Sequence, residues 1–158
     1  MKILRKRHQG SWILRVIGPL ARDQHLELVR DAVADLVERG QRRLVLDLSG
    51  VAYVDAAGLG ELIRCDRQIR SGGGFLALAG PRGNVLHVLQ LSRVGDRIRT
   101  ADCVEDAIRM LHRARRRGVQ QVRRSGTGRH AITGPPSRGP AIIRRTNEGP
   151  WRFTPIHG

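Results

Sequence analysis

What this chain lacks narrows it quickly. No stretch of about eighteen apolar residues occurs, which argues against a membrane-spanning helix. Met1 to His8 is charged, with no apolar segment or small-residue cleavage site behind it, so no secretory leader is expected. The two cysteines, Cys65 and Cys103, stand alone. They form neither a metal-spaced pair nor a disulfide framework, which fits a reducing cytoplasm. The six histidines are scattered, without a His-x-x-x-His pair or a Cys/His cluster, so no metal site is expected. A Gly-x-Ser-x-Gly elbow, a Gly-Lys-Ser/Thr phosphate loop and a dinucleotide fingerprint are also missing. The sequence therefore predicts no catalytic residue and no cofactor.

What is present in excess is positive charge, +15 overall, and it is uneven. Residues 1–112 hold 18 Lys and Arg against 13 Asp and Glu, whereas residues 113–158 hold 11 Arg, no Lys and one Glu. Most of the excess thus sits on a C-terminal appendage, and the remainder is only mildly basic. The appendage also holds five of the seven prolines and few large apolar residues. Such a segment cannot bury enough surface to offset its ordering entropy, so disorder is expected over 113–158. Nucleic acid could be bound only there, through counterion release. Trp151 and Phe153 are its only aromatics for stacking, and a solubilising or non-functional extension is the favoured alternative.

Residues 1–112 can form one α/β domain. Lys2 to His8 and Ser11 to Ile17 read as a hairpin around Gln9-Gly10. A helix is predicted from Asp23, its expected cap, to Arg39, with Gly40 as the stop. Arg43 to Leu48 reads as a strand buried on both faces. Ala57 to Ile69 is helical, Phe75 to Ala79 a strand, Val85 to Leu91 a helix, Arg97 to Thr100 a short strand. A last helix follows, with Asp102 as its expected cap. Strands alternating with helices predict a mixed, mostly parallel sheet of about five strands with about four helices.

The chemistry concentrates in one run, Leu44 to Gly60. Asp55 ends a strand-like segment and begins helical periodicity, so it can cap the helix through amides near Ala57 and Gly58. Gly58 and Gly60 each cost about 1 kcal/mol in a helix relative to alanine. That cost points to a close backbone approach, either by a neighbouring strand or by another protein. A tight strand–helix turn and a docking loop both remain open from the residues alone. Asp47 is expected to be structural, paired to a backbone group near the turn, with a polar site beside Asp55 as the alternative.

The order Asp47-Leu48-Ser49-Gly50-Val51, then Val54-Asp55, then Gly58-Leu59-Gly60, resembles the core motif of STAS domains. The resemblance continues through Ile17-Gly18-Pro19-Leu20, Gly73 to Leu78, Val85 to Leu89 and Glu105-Asp106-Ala107, covering roughly residues 2–112. It implies a STAS domain over 1–112, followed by the basic tail over 113–158. It further implies a non-enzymatic, cytoplasmic anti-sigma factor antagonist whose partner is an anti-sigma factor, itself a serine kinase with an ATP-binding fold. The implied partner-binding residues are Asp55, Ala56, Ala57, Gly58, Leu59, Gly60, Glu61 and Arg64, with Glu61, Arg64 and Arg67 expected on the polar side of the helix.

In that family a serine after the motif aspartate takes the phosphate that ends binding. Ala56 stands there, followed by Ala57, and neither can accept phosphate. Ser49 and Ser71 are weaker substitutes. The resemblance also leaves open a non-catalytic STAS subunit of a transporter or sensory complex.

Overall fold

The structure is a computed structural model that describes residues 1–22, 24–92, 94–124 and 154–155. It opens with an antiparallel hairpin of β1 (Lys2–His8) and β2 (Ser11–Ile17). Gln9 and Gly10 join them, both at positive φ (48° and 69°), the turn geometry that matches strand twist. Then come α1 (Glu27–Glu38), β3 (Arg43–Gly50), α2 (Ala56–Ser71), β4 (Phe75–Ala79) and α3 (Gly83–Leu91). The short α4 (Val94–Arg97), β5 (Arg99–Ala101), α5 (Val104–Arg124) and a two-residue β6 (Thr154–Pro155) complete it. The sheet order is β5-β4-β3-β2-β1-β6. Strands β2 to β5 are parallel, and β1 runs antiparallel to both neighbours.

β3 lies at the centre because its sequence is apolar on both faces. Leu44, Leu46 and Leu48 join Leu14, Val16, Leu76 and Leu78 in the larger core, against Val29 and Val33 of α1, Leu62 and Ile69 of α2, and Val85 and Leu89 of α3. Val45 joins Ile13, Ala77 and Ala79 on the opposite face, beneath Ala107, Ile108 and Leu111 of α5. The expected mixed α/β sheet is therefore present, with α1 to α3 on one face and α5 on the other.

Several boundaries differ from expectation. α1 begins at Glu27, after a turn, and Asp23, its expected cap, lies outside the described residues. Gly40, at φ +71°, does follow its end. Arg97, the expected first residue of the last strand, instead ends α4, and β5 begins at Arg99. Cys103, not Asp102, precedes α5, and its carbonyl accepts from the Ala107 amide at 3.1 Å. α5 itself continues to Arg124, past the boundary at residue 112. Arginine is a good helix former, which suits the Arg115-Arg116-Arg117 stretch to a helix. The disorder expected of the tail concerns residues that otherwise lie outside the described ones, apart from β6.

Candidate functional site: the loop from β3 into α2

The run from Gly50 to Asp55 is tied to the segment leaving β2. The Gly18 amide donates to the Gly50 carbonyl at 3.0 Å, and the Leu20 amide to the Tyr53 carbonyl at 2.9 Å. The Asp55 amide donates to the Leu20 carbonyl at 3.1 Å, and Leu20 and Val54 form a parallel bridge. Val51 and Val54 are buried and anchor the loop, while Ala52 and Tyr53 (49% exposed) face outward.

Asp55 caps α2. Its Oδ1 accepts from the Gly58 amide at 2.8 Å, and its Oδ2 accepts from the Arg22 amide at 3.0 Å. These hydrogen bonds, Gly58 first, hold its carboxyl below the ordinary aspartate range. Both oxygens are thus engaged with the chain's own backbone. Arg22 had no signal in the sequence, because a backbone donor needs no particular side chain.

The two motif glycines serve different needs. A Cβ on Gly58 would lie 2.1 Å from the Leu20 carbonyl oxygen, so the neighbouring segment itself requires glycine there. A Cβ on Gly60 would meet nothing within 4 Å. Of the two explanations left open by the sequence, the close neighbouring segment accounts for Gly58 and leaves Gly60 without an internal reason.

Ala56, the first residue of α2, is exposed, and Ala57 is half-buried. Leu59 packs, half-buried, against the larger core. Arg64 and Arg67 are exposed as expected. Glu61 is not: it is only 4% exposed. Its Oε2 accepts from the Arg64 guanidinium at 3.3 Å, and its Oε1 is buried without a hydrogen-bond partner. The helical wheel turns Glu61 toward the core together with Leu62 and Cys65, which corrects its placement on the polar face. Burial pushes the Cys65 thiol up to about 12, so it is an inert packing residue.

On the α5 side of the sheet, a second polar group lines a cavity of about 380 Å³ at the carboxyl ends of β2, β3 and β4. Buried Asp47 pairs through Oδ2 with Arg15 Nε at 3.2 Å, and its Oδ1 accepts from the Ser49 amide at 3.0 Å. Arg15 also donates to Ser49 Oγ at 3.1 Å. Asp47 is therefore held as a structural residue at the turn, as its position within β3 predicts. Among the described residues, no group of three or more His, Cys, Asp or Glu could hold a metal ion, and no helix is long and apolar enough to cross a membrane.

This strand–loop–helix geometry agrees with the comparisons to known proteins. The STAS domain family profile matches residues 2–107, and the chain belongs to that family. A Thermotoga maritima protein that bears the provisional name anti-sigma factor antagonist is 29% identical over 79 residues, covering 50% of this chain and 70% of that protein. A crystal structure under a similar provisional name, also from Thermotoga maritima, superposes with a TM-score of 0.60 at 25% identity, covering 68% of this chain and 92% of that one. Sulfate transporter 2.2 of Arabidopsis thaliana is 28% identical over 123 residues, covering 67% of this chain but 18% of the transporter. The domain is thus like those of anti-sigma factor antagonists, with a transporter relative beside them.

Proposed function

We propose that this protein is a cytoplasmic anti-sigma factor antagonist that acts without catalysis, by docking onto an anti-sigma factor of the serine-kinase type. The docking surface is Asp55, Ala56, Ala57, Gly60 and Arg64, extended by exposed Tyr53. Gly58, Leu59 and Glu61 support it from beneath.

The observation that carries this reading is the state of the α2 N-terminus. Asp55 is committed to internal amides. The next position is an exposed methyl group, Ala56, beside an open Gly60. A small exposed methyl group at a helix start suits close packing by a partner. Phosphate there would disrupt such packing by repulsion and desolvation, and Ala56 has no hydroxyl to carry it. Binding is therefore insensitive to phosphorylation at this position.

The test is kinase assay and capture together. Wild type and Ala56→Ser are incubated with the cognate anti-sigma factor, with and without ATP. Wild type should stay unmodified and bound, while Ala56→Ser should gain phosphate and be released. Phosphate on Ser49 or Ser71 of the wild type, with release, would contradict the absence of a serine switch.

The similarity to the plant sulfate transporter favours one other reading, a non-catalytic STAS subunit of a transporter or sensory complex. Co-purification with a membrane transporter, and no capture of any anti-sigma factor, would select it.

A further inference from the structure

The last turns of α2 meet α4 at a cleft of about 630 Å³. Among the described residues, Asp66, Arg67, Arg70, Ser71 and Arg97 line it. These supply three guanidinium groups against one carboxylate, and no apolar or aromatic side chain.

The carboxylate is already engaged. Asp66 is 1% exposed, and both its oxygens accept from Arg70 Nε at 2.8 Å. Arg70 in turn donates from Nη2 to the Arg97 carbonyl at 3.1 Å. A buried acid thus fixes one arginine, and that arginine fastens α2 to the end of α4. Val94 and Ile98, both in the larger core, anchor α4 and the residue after it. This bracing sets the walls of the cleft before anything binds there. Ser71 Oγ donates to the Gln68 carbonyl at 2.8 Å, so its proton is committed as well.

Arg67 and Arg97 are placed differently. Both are exposed, and neither side chain has an ion pair or hydrogen bond among the described residues. Asp96 adjoins Arg97 in α4, but it does not line the cleft and pairs with neither arginine. Arg64, one turn back along α2, is by contrast paired with Glu61. Two uncompensated guanidinium groups, one from each wall, therefore open onto one braced cleft.

A guanidinium fork matches carboxylate and phosphate oxygens. A small phosphorylated metabolite fits poorly, because such ligands are enclosed by mostly apolar walls. A single nucleic-acid strand needs aromatic faces for its bases, and Trp12, Tyr53 and Phe75 do not line the cleft. Residues 113–158 hold one acid, Glu148, against 11 Arg, so the chain's own C-terminal segment is a poor occupant by charge. We propose that the cleft docks an acidic segment of a partner protein, with two of its carboxylates on Arg67 and Arg97. Exposed pairs of this kind add little affinity each, but they speed association and select the docked register. α2 is 16 residues long, so the cleft lies about 20 Å from Ala56, and the inference is independent of the docking loop.

The test compares two double variants of the full-length chain that have equal net charge. Arg67→Gln with Arg97→Gln removes the uncompensated groups of the cleft. Arg7→Gln with Arg82→Gln removes two exposed arginines elsewhere. None of the four side chains has an ion pair among the described residues, so both variants should melt like wild type. The probe is a labelled peptide of sequence Gly-Glu-Asp-Glu-Gly-Asp-Glu-Gly, read by fluorescence anisotropy at an ionic strength of about 0.15 M. Its control carries Gln for Glu and Asn for Asp. The cleft variant should bind the acidic peptide at least about fivefold more weakly than wild type, and the matched variant less than about twofold more weakly. Amide resonances of Arg67, Arg70, Ser71 and Arg97 should shift when the peptide is added to isotope-labelled wild type. Equal weakening in both variants would overturn the proposal. So would shifts confined to residues 113–158, or equal binding of the neutral peptide. An oligothymidylate that loses more affinity than the peptide in the cleft variant would overturn it in favour of nucleic acid. Wild-type self-association that disappears in the cleft variant, measured by sedimentation equilibrium, would overturn it in favour of a second copy.

Discussion

Gly58 and Gly60 are two residues apart and identical in sequence terms, yet the fold gives them opposite consequences. Gly58→Ala would drive a methyl group into the Leu20 carbonyl. A loss of about 2–3 kcal/mol is expected, read by urea denaturation, because backbone rather than a flexible side chain must move. Gly60→Ala meets open space and gains helix propensity. A stabilisation of about 0.5–1 kcal/mol is expected from the same measurement. If the open face of Gly60 receives a partner, this stabilised variant should also bind its anti-sigma factor more weakly. Asp55 adds a pH dependence. Its folded carboxyl titrates below the ordinary aspartate value because backbone amides favour the charged form. The resulting stability is fully present above the unfolded value, about 3.9, and is lost as pH falls through the lower folded value. Asp55→Asn should therefore flatten the acid limb of the stability curve, measured by thermal melts between about pH 2 and 5.

At the scale of elements, the β3–α2 unit was the most legible part of the sequence. A doubly apolar strand, an Asp cap and a following helical stripe each have their own local cause, and all agree. Less legible were features set by tertiary contact. Glu61 is a charged residue at a core-facing position, and only its packing beside Leu62 and Cys65 fixes its burial. α5 runs past residue 112 because an arginine-rich sequence favours helix without needing an apolar repeat. The pairing of β6 with β1 joins residues nearly the whole chain apart, so no local pattern could announce it. Asp47 lies between these extremes. Its placement in β3 was readable, whereas its partner Arg15 on β2 follows from the parallel register. That pair yields a prediction for the sheet. Arg15→Met should destabilise the domain because it leaves a buried carboxylate less compensated. Arg15→Met with Asp47→Asn should cost less than the two single changes added. A coupling of at least about 1 kcal/mol is expected from the double-mutant cycle.

For the whole molecule, the net charge was a poor guide and the order of motifs a good one. Most of the +15 lies beyond residue 112, whereas the family profile ends at residue 107. The domain itself presents a localised surface of small residues, Ala56, Ala57 and Gly60, at the start of α2. We propose the α2 loop as the docking surface, and it has no serine or threonine to carry phosphate. The most direct test is a calorimetric titration of the cognate anti-sigma factor with wild type, Ala56→Asp and Gln90→Asp. Both substitutions add one negative charge, and Gln90 is an exposed position on α3. An acid in the first turn of α2 is favourable to the helix dipole, so Ala56→Asp should remain folded. The expected result is at least about tenfold weaker binding for Ala56→Asp, with Gln90→Asp indistinguishable from wild type. Equal binding by all three proteins would contradict the claim and place the interface elsewhere.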